Sequence, residues 1–141
     1  MHRIIEDRSG KRGQPPGTPV FVGEKHSGTP RLTLIHYDAN QAEETSNVDV
    51  AQCRPQPGTQ GVTWINVDGL HDTTLIGGLA ESFGLHPLVL EDILNTTQRP
   101  SCEDYGTFLH ITLKMLRWDP TDQRIDVEQV SLILGDGYVL S

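Results

Sequence analysis

Short β-prone runs alternate with two stretches of helical periodicity along this chain, and this alternation is the strongest constraint on its fold. The β-prone runs are bounded by glycine and proline and fall at residues 19–22, 32–37, 63–67, 108–116, 127–134 and 138–140. Runs with such boundaries predict strands, and helical stretches between strands predict helices packed on a sheet. We therefore expect an α/β domain with a mixed central sheet.

The first helical stretch follows the strand predicted at residues 63–67. Its apolar residues recur at 3.6-residue spacing, namely Leu75, Ile76, Leu79 and Phe83. Asp72 is suited to cap the start of this helix, and Gly84 stands where a helix commonly ends in a left-handed residue. Residues 40–53 carry weaker signals that favour a short helix, and residues 96–102 are predicted to form a loop.

The second helical stretch is predicted to begin at Pro87 and to end near Asn95, because the proline ring suits the first helical position. On a helical wheel its apolar residues fall on one side, namely Val89, Leu90, Ile93 and Leu94. Glu91 and Asp92 flank the other side, so two adjacent carboxylates are expected to point out of the fold. By spacing alone, a solvated helix face is the commoner explanation of such a pair.

Carboxylate pairs of this kind also suit hard cations. Mg²⁺ and Ca²⁺ prefer carboxylate oxygen, and Mg²⁺ usually keeps several waters while using one or two carboxylates.

The six histidines show no i, i+4 pair of the kind that binds zinc on a helix, so we interpret them as surface or loop residues. His86, directly before Pro87, is expected to shape the start of the second helix.

Charge and cysteine content exclude several classes of protein. Nineteen acidic residues against eleven basic ones give a formal net charge of -8, which repels the phosphates of nucleic acid, so no nucleic-acid partner is expected. The two cysteines form no CxxC pair and indicate neither a zinc ribbon nor a redox site. No run approaches the roughly 18 to 20 apolar residues that a membrane helix needs, and the first residues do not resemble a signal peptide.

One stretch of the sequence is similar to a known family. Residues 86–95 read His-Pro-Leu-Val-Leu-Glu-Asp-Ile-Leu-Asn, and Gln-Arg-Pro follows at residues 98–100. This stretch resembles the signature of the CorA magnesium transporter family. Further similar segments occur in the same order at residues 16–18, 63–67, 113–115 and 128–134, so the resemblance covers the chain from about Pro16 onward. Ser101 departs from it, because relatives often carry lysine after Arg-Pro.

The resemblance implies a three-layer α/β/α sandwich at residues 18–141, preceded by a flexible leader at residues 1–17. It identifies the chain as the N-terminal cytoplasmic domain of a Mg²⁺/Co²⁺ transporter, soluble here because the stalk and transmembrane helices are absent. Relatives assemble as pentamers, and Mg²⁺ bound between neighbouring domains holds the closed state. By position, Asp92 would be the main regulatory metal ligand and Glu91 its neighbour at a second site.

Two alternatives to this interpretation stay open. The first is the cytoplasmic domain of a zinc-transporting relative, because the pore sequence that would discriminate is missing. The second is a metal-dependent α/β hydrolase that uses the acidic pair of Glu91 and Asp92. We expect no enzymatic activity, Mg²⁺ with Co²⁺ as the ions bound, and a monomer or weak dimer for the fragment by itself.

Overall fold

A computed structural model describes residues 13–23, 28–54, 58 and 60–141. The elements in this part of the chain follow one another as β1 (Arg31–Tyr37), β2 (Ala42–Ser46), a 3₁₀ helix (Val50–Gln52), β3 (Val62–Asp68), α1 (Thr73–Ser82), α2 (Pro87–Leu94), β4 (Ser101–Asp104), β5 (Phe108–Asp119), β6 (Arg124–Gly135) and β7 (Tyr138–Leu140). Strands therefore outnumber helices among the described residues. The fold is an α/β fold rich in strand.

A single seven-stranded sheet organises these elements, in the order β2-β1-β3-β7-β6-β5-β4. The β3–β7 pair is parallel, and the other neighbouring pairs are antiparallel. The predicted mixed sheet is thus confirmed. The two α-helices lie between β3 and β4 in sequence, in the long connection from one half of the sheet to the other.

The hydrophobic core lies between the helices and one face of the sheet. Register places the buried strand residues Leu32, Ile65, Leu140, Ile133 and Phe108 on this face. The helices contribute the buried side chains Ile76, Leu79, Val89, Leu90, Ile93 and Leu94 to the same cluster. Because both helices pack on one face, neither α1 nor α2 covers the opposite face.

The predicted helix ends are confirmed in detail. The Asp72 carboxylate accepts hydrogen bonds from the backbone N–H groups of Thr74 and Leu75, at 3.1 and 3.0 Å, which satisfies donors at the start of α1. Gly84 follows α1 with φ +62, a left-handed conformation that glycine adopts at little cost. Helix α2 begins at Pro87, and the His86 ring accepts a hydrogen bond from the Leu88 N–H at 3.2 Å.

The strand predicted at residues 19–22 is wrong. Val22 forms an isolated bridge with Asn95 instead of joining the sheet, because its backbone bonds to the residues that end α2. β2 pairs with β1 at the edge of the sheet. This exposed and acidic strand lies within residues 40–53, where a short helix was expected. Part of that expectation is correct, since a 3₁₀ helix occupies Val50–Gln52.

The other differences concern strand lengths at the opposite edge of the sheet. β4 begins at Ser101, inside the predicted loop at residues 96–102, and its four residues are all exposed. Polar edge strands lack the apolar alternation by which strands are recognised in a sequence. β5 and β6 are also longer than predicted. β5 continues to Asp119 and β6 begins at Arg124, directly before and after the turn that connects them.

None of the helices in the described ranges is long and apolar enough to cross a membrane. The expected leader at residues 1–17 falls mostly outside the described residues, which begin at Gly13.

Candidate metal site

The two acidic residues of interest lie on the outer side of α2. The inner side of this helix is fully buried at Val89 and Leu94, both 0% exposed, as the helical wheel predicted. Glu91 and Asp92 are half-buried. Their carboxylates are therefore more enclosed than those of a fully solvated helix face.

Glu91 contacts the chain that precedes the sheet. Its Oε2 accepts a hydrogen bond from the backbone N–H of Gly17 at 2.7 Å, although the two residues are 74 positions apart. A hydrogen bond to an ionised carboxylate is among the stronger kinds in proteins, so it orients the acceptor as well as binding it. The Glu91 carboxylate is accordingly held in one direction by a neutral backbone donor.

Asp92 contacts the turn that follows the helix. Its Oδ1 accepts a hydrogen bond from the side-chain amide of Gln98, and the Gln98 backbone N–H donates to the Asn95 carbonyl at 3.3 Å. Gln98 belongs to the Gln-Arg-Pro sequence singled out above. The spacing of this motif from Asp92 is therefore explained, because the turn brings the amide back to the carboxylate.

A buried histidine lies in the sheet near Asp92. His110 is 2% exposed, and its ring Nε2 lies 3.4 Å from the Thr112 hydroxyl. Burial lowers the pKa of His110, while the charges of Asp92 and Glu103 act in the opposite direction. The interpretation of all six histidines as surface or loop residues is thus wrong for His110. Burial alternates along β5, and this alternation places His110 on the core face of the sheet.

The end of α2 is bonded to the β5–β6 hairpin by Lys114 and Gln129, which lie in segments similar to the family but were assigned no role from the sequence. The Lys114 ammonium donates to the Thr96 carbonyl at 2.8 Å and to the Gln129 side-chain oxygen at 2.9 Å. The Gln129 amide in turn donates to the Asn95 carbonyl at 3.0 Å. These bonds fix the carboxyl end of α2 on the sheet, so Glu91 and Asp92 stand on a rigid element.

The donor set of the site is two carboxylates from neighbouring positions of one helix. No group of three or more histidine, cysteine, aspartate or glutamate side chains suitable for a metal ion occurs in the part of the chain that the structure describes. The two cysteines are free, with Cys53 buried and Cys102 exposed. Two carboxylates fit an ion that keeps much of its water, as Mg²⁺ does, and that takes its remaining ligands from elsewhere.

A large cleft lies apart from this pair. It has a volume of about 1310 Å³, extends between β3 and β6 beside Ser141, and is not lined by Glu91 or Asp92. Its acidic and histidine lining residues, including Asp68, His71 and Glu128, form no metal-binding group of three.

The signature sequence lies on α2 of this mixed sheet, and the chain belongs to the CorA family. The family described as "CorA-like Mg2+ transporter protein" matches residues 59–141. The chain is also similar to the "Cobalt/magnesium transport protein CorA" of Thermotoga maritima, with 40% identity over 132 residues. That alignment covers 94% of this chain and 37% of the relative, so the chain spans little more than a third of the relative's length. The family resemblance inferred from the sequence is confirmed.

Proposed function

We propose that this chain is the cytoplasmic metal-sensing and assembly domain of a CorA-type divalent-cation transporter. In this proposal Asp92 is the main ligand of a regulatory Mg²⁺ and Glu91 its neighbour at a second site. The observation that carries the proposal is the placement of two adjacent carboxylates on the outer side of α2, whose inner side is locked into the core. The name of the Thermotoga relative supports Mg²⁺ and Co²⁺ as the ions.

The physical basis is that, among the described residues, no third histidine, cysteine, aspartate or glutamate joins the two carboxylates, so a neighbouring subunit is proposed to complete the site. Two acidic surfaces repel each other, and a divalent cation between them offsets that repulsion. A bound ion therefore shifts the population toward the arrangement in which neighbouring subunits meet at the site, and its loss releases that arrangement. The net charge of -8 makes such repulsion substantial between copies of this chain. A pentamer is expected for the intact transporter, and a monomer or weak dimer for this chain alone.

The donor chemistry favours a hard cation over zinc. Zinc sites usually include histidine or cysteine, and among the described residues none joins Asp92 in a ligand group of three. The name of the Thermotoga relative favours the Mg²⁺/Co²⁺ transporter over the zinc-transporting alternative. A catalytic role has no support from the cleft or from the acidic pair, and we propose that the chain acts in ion permeation and not as an enzyme.

The three-layer α/β/α sandwich is part of the same proposal. Across the face that α1 and α2 leave uncovered, register aligns Ile35, Trp64, Val139 and Leu134 in one row. Trp64 is 38% exposed at the centre of this row. Apolar residues grouped on a face that α1 and α2 leave uncovered indicate packing against a further element, which supports a second helical layer there.

Titration of Mg²⁺ and Co²⁺ into the chain tests the proposed site. Changes in NMR chemical shift should centre on Glu91 and Asp92, and Asp92→Ala should weaken Co²⁺ binding by about tenfold, which corresponds to about 1.4 kcal/mol. Glu81→Ala is the matched control, because it removes one exposed carboxylate from α1 while leaving α2 unchanged. Binding that survives Asp92→Ala unchanged, or that Glu81→Ala weakens equally, would contradict the site assignment.

A further inference from the structure

The chain before the sheet lies along α2 and is bound at both ends of the helix. Residues 15–22 form the segment in question, which we call the N-terminal segment. A turn opens it, since the Thr18 N–H and hydroxyl both donate to the Pro15 carbonyl at 3.2 and 2.7 Å. At the far end, the Val22 N–H donates to the Leu94 carbonyl and the Val22 carbonyl accepts from the Thr96 N–H, both at 2.9 Å. Val22 is 4% exposed, so this end is anchored in the core.

Gly17 is the point at which the N-terminal segment meets the candidate metal site. It has φ +82, and a Cβ atom placed on it would lie 3.0 Å from the Cβ of Pro87. A larger residue would therefore be strained and would press against the first residue of α2. This close approach lets the Gly17 N–H reach the Glu91 carboxylate.

We propose that Gly17 is a positioning residue for the metal site, and that binding of a divalent cation at Glu91 and Asp92 stabilises the docked N-terminal segment. Carboxylates that bind metals are usually oriented by hydrogen bonds from a second set of groups, whose removal weakens metal binding. The Gly17 N–H is such a donor to Glu91. Coupling between two binding events is reciprocal. If the docked segment increases the affinity for the cation, the bound cation therefore stabilises docking by the same free energy.

This inference rests on the proposed function, and it adds a role for a part of the chain that lies outside the sheet. A purely structural bond between Gly17 and Glu91 would be indifferent to cations. The N-terminal segment would then dock equally well with and without Mg²⁺. Cation dependence of docking is therefore the property that separates the two possibilities.

Amide hydrogen exchange measured by NMR on the 141-residue chain tests the proposal. Saturating Mg²⁺ is expected to slow exchange of the Gly17 amide, and to a lesser extent that of the Val22 amide. In Glu91→Gln the side-chain oxygen still accepts from Gly17 but carries no charge. Docking should therefore persist in this variant, while the effect of Mg²⁺ on Gly17 exchange should be lost.

Substitution at Gly17 tests the reciprocal effect. Gly17→Ala should speed exchange of the Gly17-site amide and weaken Co²⁺ binding by about tenfold, the scale typical of groups that support metal ligands. Gly13→Ala is the matched control, because Gly13 has a similar φ of +80 and no atom within 4 Å of an added Cβ. That variant should leave both exchange at Gly17 and Co²⁺ affinity unchanged.

The outcomes distinguish this proposal from the proposed function. If cation binding depends on Asp92 but Mg²⁺ leaves exchange of the Gly17 amide unchanged or makes it faster, the positioning role is overturned and the proposed function is not. Absence of any cation binding that depends on Asp92 would overturn both. If Gly17→Ala does not fold, the comparison of the unaltered chain with Glu91→Gln decides the question without it.

Discussion

The two sides of α2 meet opposite physical demands, although they are built from neighbouring residues of one eight-residue helix. On the inner side, Val89 and Leu94 are completely buried and contact the core of the sheet. On the outer side, Glu91 and Asp92 are half-buried and bond to Gly17 and Gln98, which lie outside the helix. The inner side packs into the core, and the outer side carries the two carboxylates of the proposed cation site.

The difference teaches how a short helix carries a site precisely. Isolated helices of this length are unstable in water, so the inner side has to supply the stability that the helix lacks by itself. Once α2 is fixed, contacts with Gly17 and Gln98 help to orient the Glu91 and Asp92 carboxylates. Mutations on the two sides should therefore affect different measurements. Three predictions test this separation, and a fourth concerns His110 in β5, whose pKa the charge of Asp92 influences.

Leu94→Ala should have the greatest effect on stability. Leu94 is 0% exposed, so the substitution removes buried apolar atoms and leaves a cavity. We expect the free energy of unfolding to fall by about 2–5 kcal/mol, measured by urea denaturation. A loss below this range would mean that the inner side of α2 is less well packed than its burial indicates.

Asp92→Asn should weaken cation binding while leaving the fold intact. The substitution removes the negative charge but keeps a side-chain oxygen that can accept from Gln98. We expect Mg²⁺ affinity to fall by about tenfold and the free energy of unfolding to change by about 1 kcal/mol or less. Calorimetric titration and urea denaturation of the same variant supply the two readings. A large stability loss with unchanged affinity would reverse the roles assigned to the two sides.

His110 should make stability depend on pH. Because burial lowers its pKa, the unfolded chain binds more protons than the folded chain between the lowered value and the ordinary value of about 6.5. Stability should therefore fall as the pH drops through this interval, and His110→Gln should reduce the slope. Thermal unfolding of both chains at several pH values measures it, with His71→Gln as a control outside the Asp92 neighbourhood. An unchanged slope in His110→Gln would contradict the burial effect.

Leu88→Ala should have almost no effect on stability. Leu88 lies on the same helix as Leu94 but is 46% exposed, so the identical substitution removes little buried surface. We expect a change of about 0.5 kcal/mol or less in the free energy of unfolding. Loss comparable to that of Leu94→Ala would show that the outer side is covered by another part of the protein.

Much of the fold was predictable where the preferences of neighbouring residues and their burial favour the same secondary structure. The cap at Asp72, the left-handed Gly84 and the start of α2 at Pro87 depend on neighbouring residues alone, and each is confirmed. The buried side of α2 followed from periodicity for the same reason. β2 and β4 were missed because both are exposed and polar, and their strand conformation comes from pairing with β1 and β5.

The candidate site divides in a similar way. Glu91 and Asp92 were identified from the signature sequence, and their metal role remains a proposal. Their hydrogen-bond partners were not identified, since Gly17 is 74 positions away from Glu91 and no periodicity links them. The strand predicted at residues 19–22 was wrong for a related reason, because Val22 finds its backbone partners at the end of α2 and not in the sheet.

By itself, the sequence determined the helix boundaries, the side of α2 that is buried, the mixed character of the sheet and the membership of the CorA family. These features depend on residues close together in the chain or on short motifs in a recognisable order. Only the tertiary structure decided which backbone N–H orients Glu91, which amide contacts Asp92 and which histidine is buried. The Glu91 contact joins residues 74 positions apart, the Asp92 contact depends on the path of the turn after α2, and the burial of His110 depends on the packing of the sheet, so each is decided only when the chain has folded.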